Sequence, residues 1–391
     1  MSLTTIDPVD LLEELLHIDS ANVSMGGPGE AAMAERVAEV LEAIGATVAS
    51  TEGAGPGRPN VIATLQGAPG RPVLLLESHL DTVAHPRVPI PVRRVDGRLT
   101  GRGACDTKGS GAAMLAAMAA LASRPDRPTI VFAGAADEEV TMLGSRALVS
   151  QLPTVDAVIV GEPTSLLPVR AHNGFSRFRI TARGRAAHTS RAYLGVNAIA
   201  AASHAVLAIQ EELFPRLLAR AHPLTGPALI TAAVIRGGVA ANLVPDWAEI
   251  LLDRRLSPGE DPDAALAEID TILAPLIAAG HDLVRETPDT QLPAVETPAD
   301  HPLVRATEAA VAAILGRTVA AGGVPYGTDA SYLSGTGGIP CVVLGPGSID
   351  QAHTEDEWVT MDEVRDCQAI LEHIILGFGG ATGTGAGAAA G

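Results

Sequence analysis

Four apolar runs of strand length end in side chains that can bind a metal or move a proton. Leu74-Leu-Leu-Glu-Ser leads into His79-Leu-Asp81, and Thr129-Ile-Val-Phe-Ala leads into Asp137-Glu-Glu139. Val158-Ile-Val-Gly leads into Glu162-Pro-Thr, and Cys341-Val-Val-Leu-Gly precedes His353-Thr-Glu. Runs that are apolar at nearly every position belong in a largely parallel sheet covered on both faces. Carboxylates are costly to bury unless they are paired or metal-bound. In open α/β sheets, ligands collect at the carboxyl ends of the strands. Four such endings therefore predict one shared site. The stretch Gly101-Arg-Gly-Ala-Cys-Asp-Thr-Lys-Gly-Ser-Gly111 precedes a helix-forming run, Ala112–Leu121. It reads as a tight loop that delivers one carboxylate, Asp106, to the start of a helix. Asp106 is then the shared ligand of a two-metal site, and the four strand ends supply the rest.

A chain of 391 residues is long enough for two domains, since single cores stop growing near roughly 250–300 residues. Only 3% of it is aromatic against 47% apolar, so the core must be built from Ala, Val, Leu and Ile. The net charge of −18, with no Lys/Arg cluster, argues against nucleic acid and against an anionic membrane as partners. No uninterrupted apolar run reaches membrane-spanning length, and the N-terminus has no basic-plus-apolar signal pattern. Cys105, Cys341 and Cys367 cannot all pair and show no CxxC spacing. A reducing, cytoplasmic setting is the simplest context.

Helices are expected at residues 7–16 and 30–44, and strands at 46–50, 60–65 and 72–77. A Pro/Arg-rich loop covers 82–97. A helix follows Lys108, then a strand at Thr129–Ala133, a helix at Leu143–Gln151 and a strand at Ala157–Val160. This alternation predicts an α/β fold with a mostly parallel sheet. After Asn173-Gly174 the pattern changes, with Phe175, Phe178 and Ile180 alternating against Arg177 and Arg179. A long helix over Val196–Leu213, strands at Ala228–Ile235 and Trp247–Leu252 and a helix at Pro262–Ile277 complete a compact α+β unit. The α/β pattern resumes with a helix to Leu315, a strand at Pro340–Leu344 and a helix at Met361–Leu376. The expected organisation is a catalytic domain split into residues 1–174 and 289–376. An α+β lid or dimerisation domain, residues 175–288, is inserted in it. The Gly/Ala/Thr tail, residues 377–391, can bury little and is expected to be disordered.

Ser78-His-Leu-Asp-Thr-Val83, Gly101-Arg-Gly-Ala-Cys-Asp-Thr-Lys-Gly109, Asp137-Glu-Glu139, Val160-Gly-Glu-Pro-Thr164 and Ala352-His-Thr-Glu-Asp-Glu357 occur in that order. Together they resemble the zinc amidohydrolase and peptidase family. That family contains acetylornithine deacetylase, succinyl-diaminopimelate desuccinylase, aminoacylase and glutamate carboxypeptidase. The resemblance spans about residues 8–376. It implies that His79 and Glu162 hold one zinc, that Glu139 and His353 hold the other, and that Asp106 bridges them. Each metal then keeps open positions for water, as a catalytic zinc requires. Glu138 would be the general base, and Asp81 would fix the His79 ring through its second nitrogen. The Asp106–Thr107 peptide would be cis. In the inserted domain, Gly184-Arg-Ala-Ala-His188 resembles the segment whose His stabilises the oxyanion, in relatives across a dimer interface. Asn242-Leu-Val-Pro245 and Arg255 resemble the family's carboxylate clamp, and a planar guanidinium suits bidentate carboxylate binding. Strand alternation turns one of Arg254 and Arg255 outward, and Arg255 is preferred. Gly327-Thr-Asp329 resembles a pocket-lining segment without an assigned role. The Ala84–Asp96 loop lacks the Trp that many relatives carry there, which weakens inference about substrate.

The reading is a di-zinc hydrolase that cleaves an amide next to a free carboxylate, with cobalt or manganese able to occupy the same ligands. Its expected substrate is a small N-acyl amino acid or peptide, and a homodimer is expected. A carboxypeptidase or dipeptidase on the same site is the rival reading. A non-catalytic binding protein of the same fold should have lost the base or a ligand, and all those positions are present.

Overall fold

A computed structural model describes residues 5–378. It divides into two compact units. The first comprises the chain up to Arg170, Thr297–Gly322 and the chain from Thr328 onward; the second comprises Ala171–Glu296 with Gly323–Gly327. The divisions differ from residues 174 and 288 because Thr290–Leu292 still pairs with the strand Gly174–Arg183. The last helix runs through Gly377, and Phe378 is buried. The remainder of the Gly/Ala tail, residues 379–391, lies outside the described residues.

In the first unit the sheet is parallel at its centre. Thr129–Ala135, Val73–His79, Ala157–Val160 and Cys341–Val343 are neighbours in that order, all parallel. The antiparallel strands Pro59–Leu65 and Thr47–Glu52 extend it beyond Thr129–Ala135. The two runs 129–135 and 157–160 are buried at every residue, as their unbroken apolar character requires. Helix Lys108–Leu121 packs against Pro8–Leu16 and Met361–Gly377 and is buried everywhere except at Ala120. Only small residues allow such close approach. At Gly345, beyond the last parallel strand, a Cβ would fall 2.2 Å from Ser110 Oγ and 2.5 Å from the Glu162 carbonyl oxygen.

Two elements differ from the sequence reading. The Pro/Arg-rich loop contains a hairpin, Arg93–Val95 with Arg98–Thr100, to which Trp358–Thr360 adds a third strand. Its two turn residues, Asp96 and Gly97, both adopt left-handed φ, the conformation that a tight two-residue hairpin turn demands. The long helix of the second unit is also interrupted. Ala198–Ala208 passes through a wide π turn, Ile209–Leu213, into Phe214–Leu218. Pro215 explains the interruption, because it has no N–H to donate and its ring crowds the carbonyl four residues back.

The second unit is an antiparallel sheet in the order Leu229–Gly237, Trp247–Leu256, Gly174–Arg183, Asp282–Arg285. Phe178, Ile180, Ala182, Ala248, Ile250 and Leu252 share its core with the helices at 198–208 and 262–278. Among the described residues all three cysteines are free and buried, and no helix is long and apolar enough to cross a membrane. Leu76, fully buried in the central strand, tests this core. Leu76→Ala should cost about 2–5 kcal/mol, read as a lower denaturation midpoint at unchanged slope.

Candidate active site

The parallel strand Val73–His79 ends by placing His79 where the loop after Gly101 returns. His79 Nε2 lies 3.0 Å from Asp106 Oδ1. The other Asp106 oxygen lies 3.2 Å from His353 Nε2, which is also 3.0 Å from Glu139 Oε2. Two donor groups share Asp106: His79, Asp106 and Glu162, and Asp106, Glu139 and His353. Within each, the candidate ligand atoms lie within 4.8 Å of one another. The five residues that the sequence proposed as metal ligands therefore converge in the first unit. His353 is the exposed member and has a left-handed φ of 61°. The Asp106–Thr107 peptide is cis.

The Asp106 loop is held from behind by Glu357. One oxygen of this buried carboxylate accepts the main-chain N–H groups of Cys105 and Asp106, both at 3.1 Å. The other accepts the Gly103 N–H at 3.0 Å and the Arg102 guanidinium at 2.7 Å. Gly103 has φ +88°, which a side chain would resist. Glu357 closes the quoted segment 352–357, yet nothing in that segment marks which acid turns toward the loop. Lys108 is buried and donates to the Leu15 and Ile18 carbonyls, so it faces away from the ligand set.

Asp81 does more than orient His79. The His79 Nδ1 contact is 3.0 Å to the Asp81 main-chain oxygen and 3.5 Å to its carboxylate. The carbonyl is the closer acceptor, so the expected carboxylate-to-ring bond is the secondary contact. The Asp81 carboxylate instead accepts the N–H groups of Glu138 at 3.0 Å and Glu139 at 3.3 Å. It also accepts the Asn22 amide at 2.7 Å. Asn22 had no sequence signal beyond its place in a loop. Deeper still, Asp329 is buried beside Glu77. Burial first lifts Asp329, to about 6. Burial and the Asp329 charge push Glu77 well above the usual carboxylate range.

The ligand set carries strong fields. Burial, then the Asp106 charge, raises the proton affinity of Glu162 and of Glu139. Burial, then Glu162, raises that of Glu138. Burial also opposes ionisation of Asp106, but its bonds to His353 and His79 outweigh it and its pKa is lowered. For His79, burial disfavours the imidazolium; Asp106 and Asp81 outweigh it, and the pKa is well above that of a free histidine. Asp106 and Glu139 lift His353 to about 10.

The other proposed residues lie in the second unit. His188 is exposed and its Nδ1 accepts the Ser190 N–H at 3.1 Å. A neutral His188 therefore carries its proton on Nε2, free to donate. Thr189 N–H bonds the Asn242 carbonyl at 3.1 Å, and His188 bridges Leu243, so His188 and Asn242 are neighbours. Arg255 is remote from them. It lies eight residues along its strand from Trp247, about 25–27 Å at strand rise. Asn242 lies before the Trp247 end of that strand, and Arg255 lies near its other end. Of the arginine pair, Arg254 is wholly buried against Glu260, whereas Arg255 is partly exposed and pairs with Asp253 at 2.7 Å.

Comparison with known proteins places the chain. The description "Peptidase family M20/M25/M40" matches residues 75–377. An acetylornithine deacetylase of Myxococcus xanthus is 32% identical over 346 residues, covering 84% of this chain and 86% of that one. Another, from Vibrio campbellii, is 32% identical over 375 residues, covering 92% and 96%. Among solved structures, the aminopeptidase PepT of Bacillus cereus superposes with a TM-score of 0.80 at 24% identity, covering 95% and 98%. A Bacillus subtilis protein described as a dinuclear metal binding peptidase from the M20 family gives 0.71 at 19%, covering 94% and 96%. The chain belongs to peptidase family M20/M25/M40. It is a hydrolase acting on amide bonds.

The two histidines give a pH test on metal-stripped protein. Both have folded pKa values above the unfolded value of about 6.5. The folded state then holds more protons than the unfolded state, so stability falls as pH rises. Between pH 6.5, the ordinary value from which His172 is lowered, and pH 8, where Lys108 titrates, the buried Glu77, Glu138 and Glu162, whose hold on protons is also raised, act in the same direction as the two histidines. The midpoint of thermal unfolding should decline across that window. A rise would contradict the assignment.

Proposed function

We propose that this chain is a two-metal amidohydrolase that deacylates an N-acyl amino acid, with zinc as the resident ion and cobalt or manganese as substitutes. The observation that carries this reading is Asp106, shared by two three-residue donor groups of His and carboxylate. The donor chemistry fits two divalent cations, since imidazole and carboxylate suit zinc. His79, Glu162 and Asp106 would hold one ion, and Asp106, Glu139 and His353 the other. When bound, the ions polarise the scissile carbonyl and make water a better nucleophile. Glu138 takes the proton of the attacking water and passes it to the leaving nitrogen. His188, with Nε2–H free, donates to the developing oxyanion. Arg255 receives the substrate carboxylate, and Asn242 works beside His188. Because Asn242 and Arg255 lie so far apart in one chain, a homodimer in which two copies complete each site accommodates both. Acetylornithine deacetylases over most of the chain's length support deacylation ahead of peptide cleavage.

Hydrolysis of N-acetyl, N-succinyl and N-formyl amino acids, measured beside dipeptides on zinc- or cobalt-loaded protein, tests the reading. Turnover of dipeptides alone would move it to a peptidase. Glu138→Gln should retain both metals and lose roughly 10²–10⁴-fold in kcat, whereas Glu139→Gln should lose metal. Equal metal loss in both would reverse the assignment.

His188→Ala should lower kcat by roughly 10²–10³-fold at full metal content, and Arg255→Ala should mainly raise KM. Mixing His188→Ala with Glu138→Gln should restore partial activity if His188 serves the neighbouring copy. Demonstrated subunit exchange with no recovery would confine His188 to its own chain or remove its role.

A further inference from the structure

A third buried group of possible ligands, Glu30, Asp81 and Asp137, lies in the first unit. Side-chain N–H groups already occupy its centre. Arg58 Nε donates to Glu30 Oε2 at 3.0 Å, and Arg58 Nη2 lies 2.8 Å from Asp137 Oδ1. The Asn22 amide donates to Asp81 Oδ2 at 2.7 Å and to Asp137 Oδ1 at 2.9 Å. Asn22 is fully buried, and the Arg58 side chain is 14% exposed. The guanidinium and the amide stand where a cation would.

The group meets the catalytic turn through the main chain. Asp137 N–H donates to Glu30 at 3.1 Å. Glu138 N–H donates to Asp81 Oδ1 at 3.0 Å, and Glu139 N–H lies 3.3 Å from Asp81 Oδ2. Three consecutive N–H groups thus end on two buried carboxylates. Asp137 has a left-handed φ of 69°, and its carboxylate also takes the Thr141 hydroxyl. Glu138 and Glu139 are chemically identical neighbours, so side-chain chemistry cannot decide which one takes the water's proton and which one binds metal. The register of this turn decides it.

We infer that Asn22 and Arg58 are positioning residues: with Glu30 and Asp137 they brace the turn that assigns the base role to Glu138 and the ligand role to Glu139. The inference rests on the proposed role of Glu138. Loss of a partner behind a functional group usually costs 10–100-fold, because the group remains present but is held less well.

The test is kcat per folded chain at saturating zinc, on an amide substrate that the wild type hydrolyses. Asn22→Ala should lower kcat about 10–100-fold with KM nearly unchanged. In a Glu138→Gln background the same substitution should cost little more, since the base through which it acts is already gone. The same further loss in both backgrounds would overturn the inference. Should Asn22→Ala fail to fold, Arg58 provides the second arm. Arg58→Gln should lose rate like Asn22→Ala, and Arg58→Lys, which keeps the cation, should recover most of it. Wild-type kcat in Arg58→Gln would also overturn the inference. An unimpaired Glu138→Gln would instead defeat the proposed base and the brace with it. An impaired Glu138→Gln beside fully active brace variants would defeat the brace alone.

Discussion

Asp106 presents one oxygen to His79 and the other to His353, and the rest of the site is arranged to keep it there. A buried carboxylate is stable only with compensating partners. The two histidines provide them in front, and the loop behind supplies rigidity. Glu357 gathers three main-chain N–H groups of that loop and the Arg102 guanidinium on one carboxylate. The loop therefore cannot carry Asp106 away without exposing several donors at once. The small residues of helix 108–121 let the strand ends approach its first turn, and that approach brings Glu162 into reach of Asp106.

The sheet was legible because its central strands are apolar over most of their length, and burial on both faces permits little else. The helices at 262–278 and 361–377 were equally plain, and the structure adds their caps. Asp261 caps Pro262–Ala278, and Thr360 caps Met361–Gly377. The acidic and histidine clusters were legible because most follow such a strand or a Gly-rich turn, where a polar residue has little structural excuse; which residue of each cluster is the candidate ligand came from the family resemblance. Partners behind the ligands were not. Glu357, Asn22, Arg58 and Glu30 are single polar residues in loops or at element ends, and their burial is decided by contacts distant in sequence. Arg58 and Asp137, for instance, are far apart in the sequence yet lie 2.8 Å from one another. The π turn at 209–213 was hidden for a related reason. Pro215 announces an interruption, but only packing decides whether the helix stops or widens.

In the second unit, alternation separates two jobs along the same strands. The inward residues, Phe178, Ile180, Ile250 and Leu252, form the core with the helices. The outward residues are charged and pair with one another, Arg177 with Asp253 and Arg179 with Glu249. Arg255 follows this outward set and pairs with Asp253, two residues before it on the same strand, at 2.7 Å. Arg254 faces inward, where Glu260 compensates its burial. Strand period alone therefore constrains which arginine can meet a ligand.

The two acid-rich groups of the first unit show how identical chemistry is directed to different ends. Glu30, Asp81 and Asp137 are answered by nitrogen donors fixed to the chain, Arg58 and Asn22, and this makes them a rigid support. Glu139 pairs with the His353 imidazole at 3.0 Å, and burial with repulsion from neighbouring carboxylates raises the hold of Glu138, Glu139 and Glu162 on protons. A group in that condition favours whatever positive charge arrives, whether protons or divalent ions. Asp81 joins the two groups. One carboxylate takes its stability from Asn22 and passes it to the N–H groups of Glu138 and Glu139. Rigidity is thus placed one layer behind the reactive carboxylates, and their side chains remain free to change charge while the backbone beneath them is held.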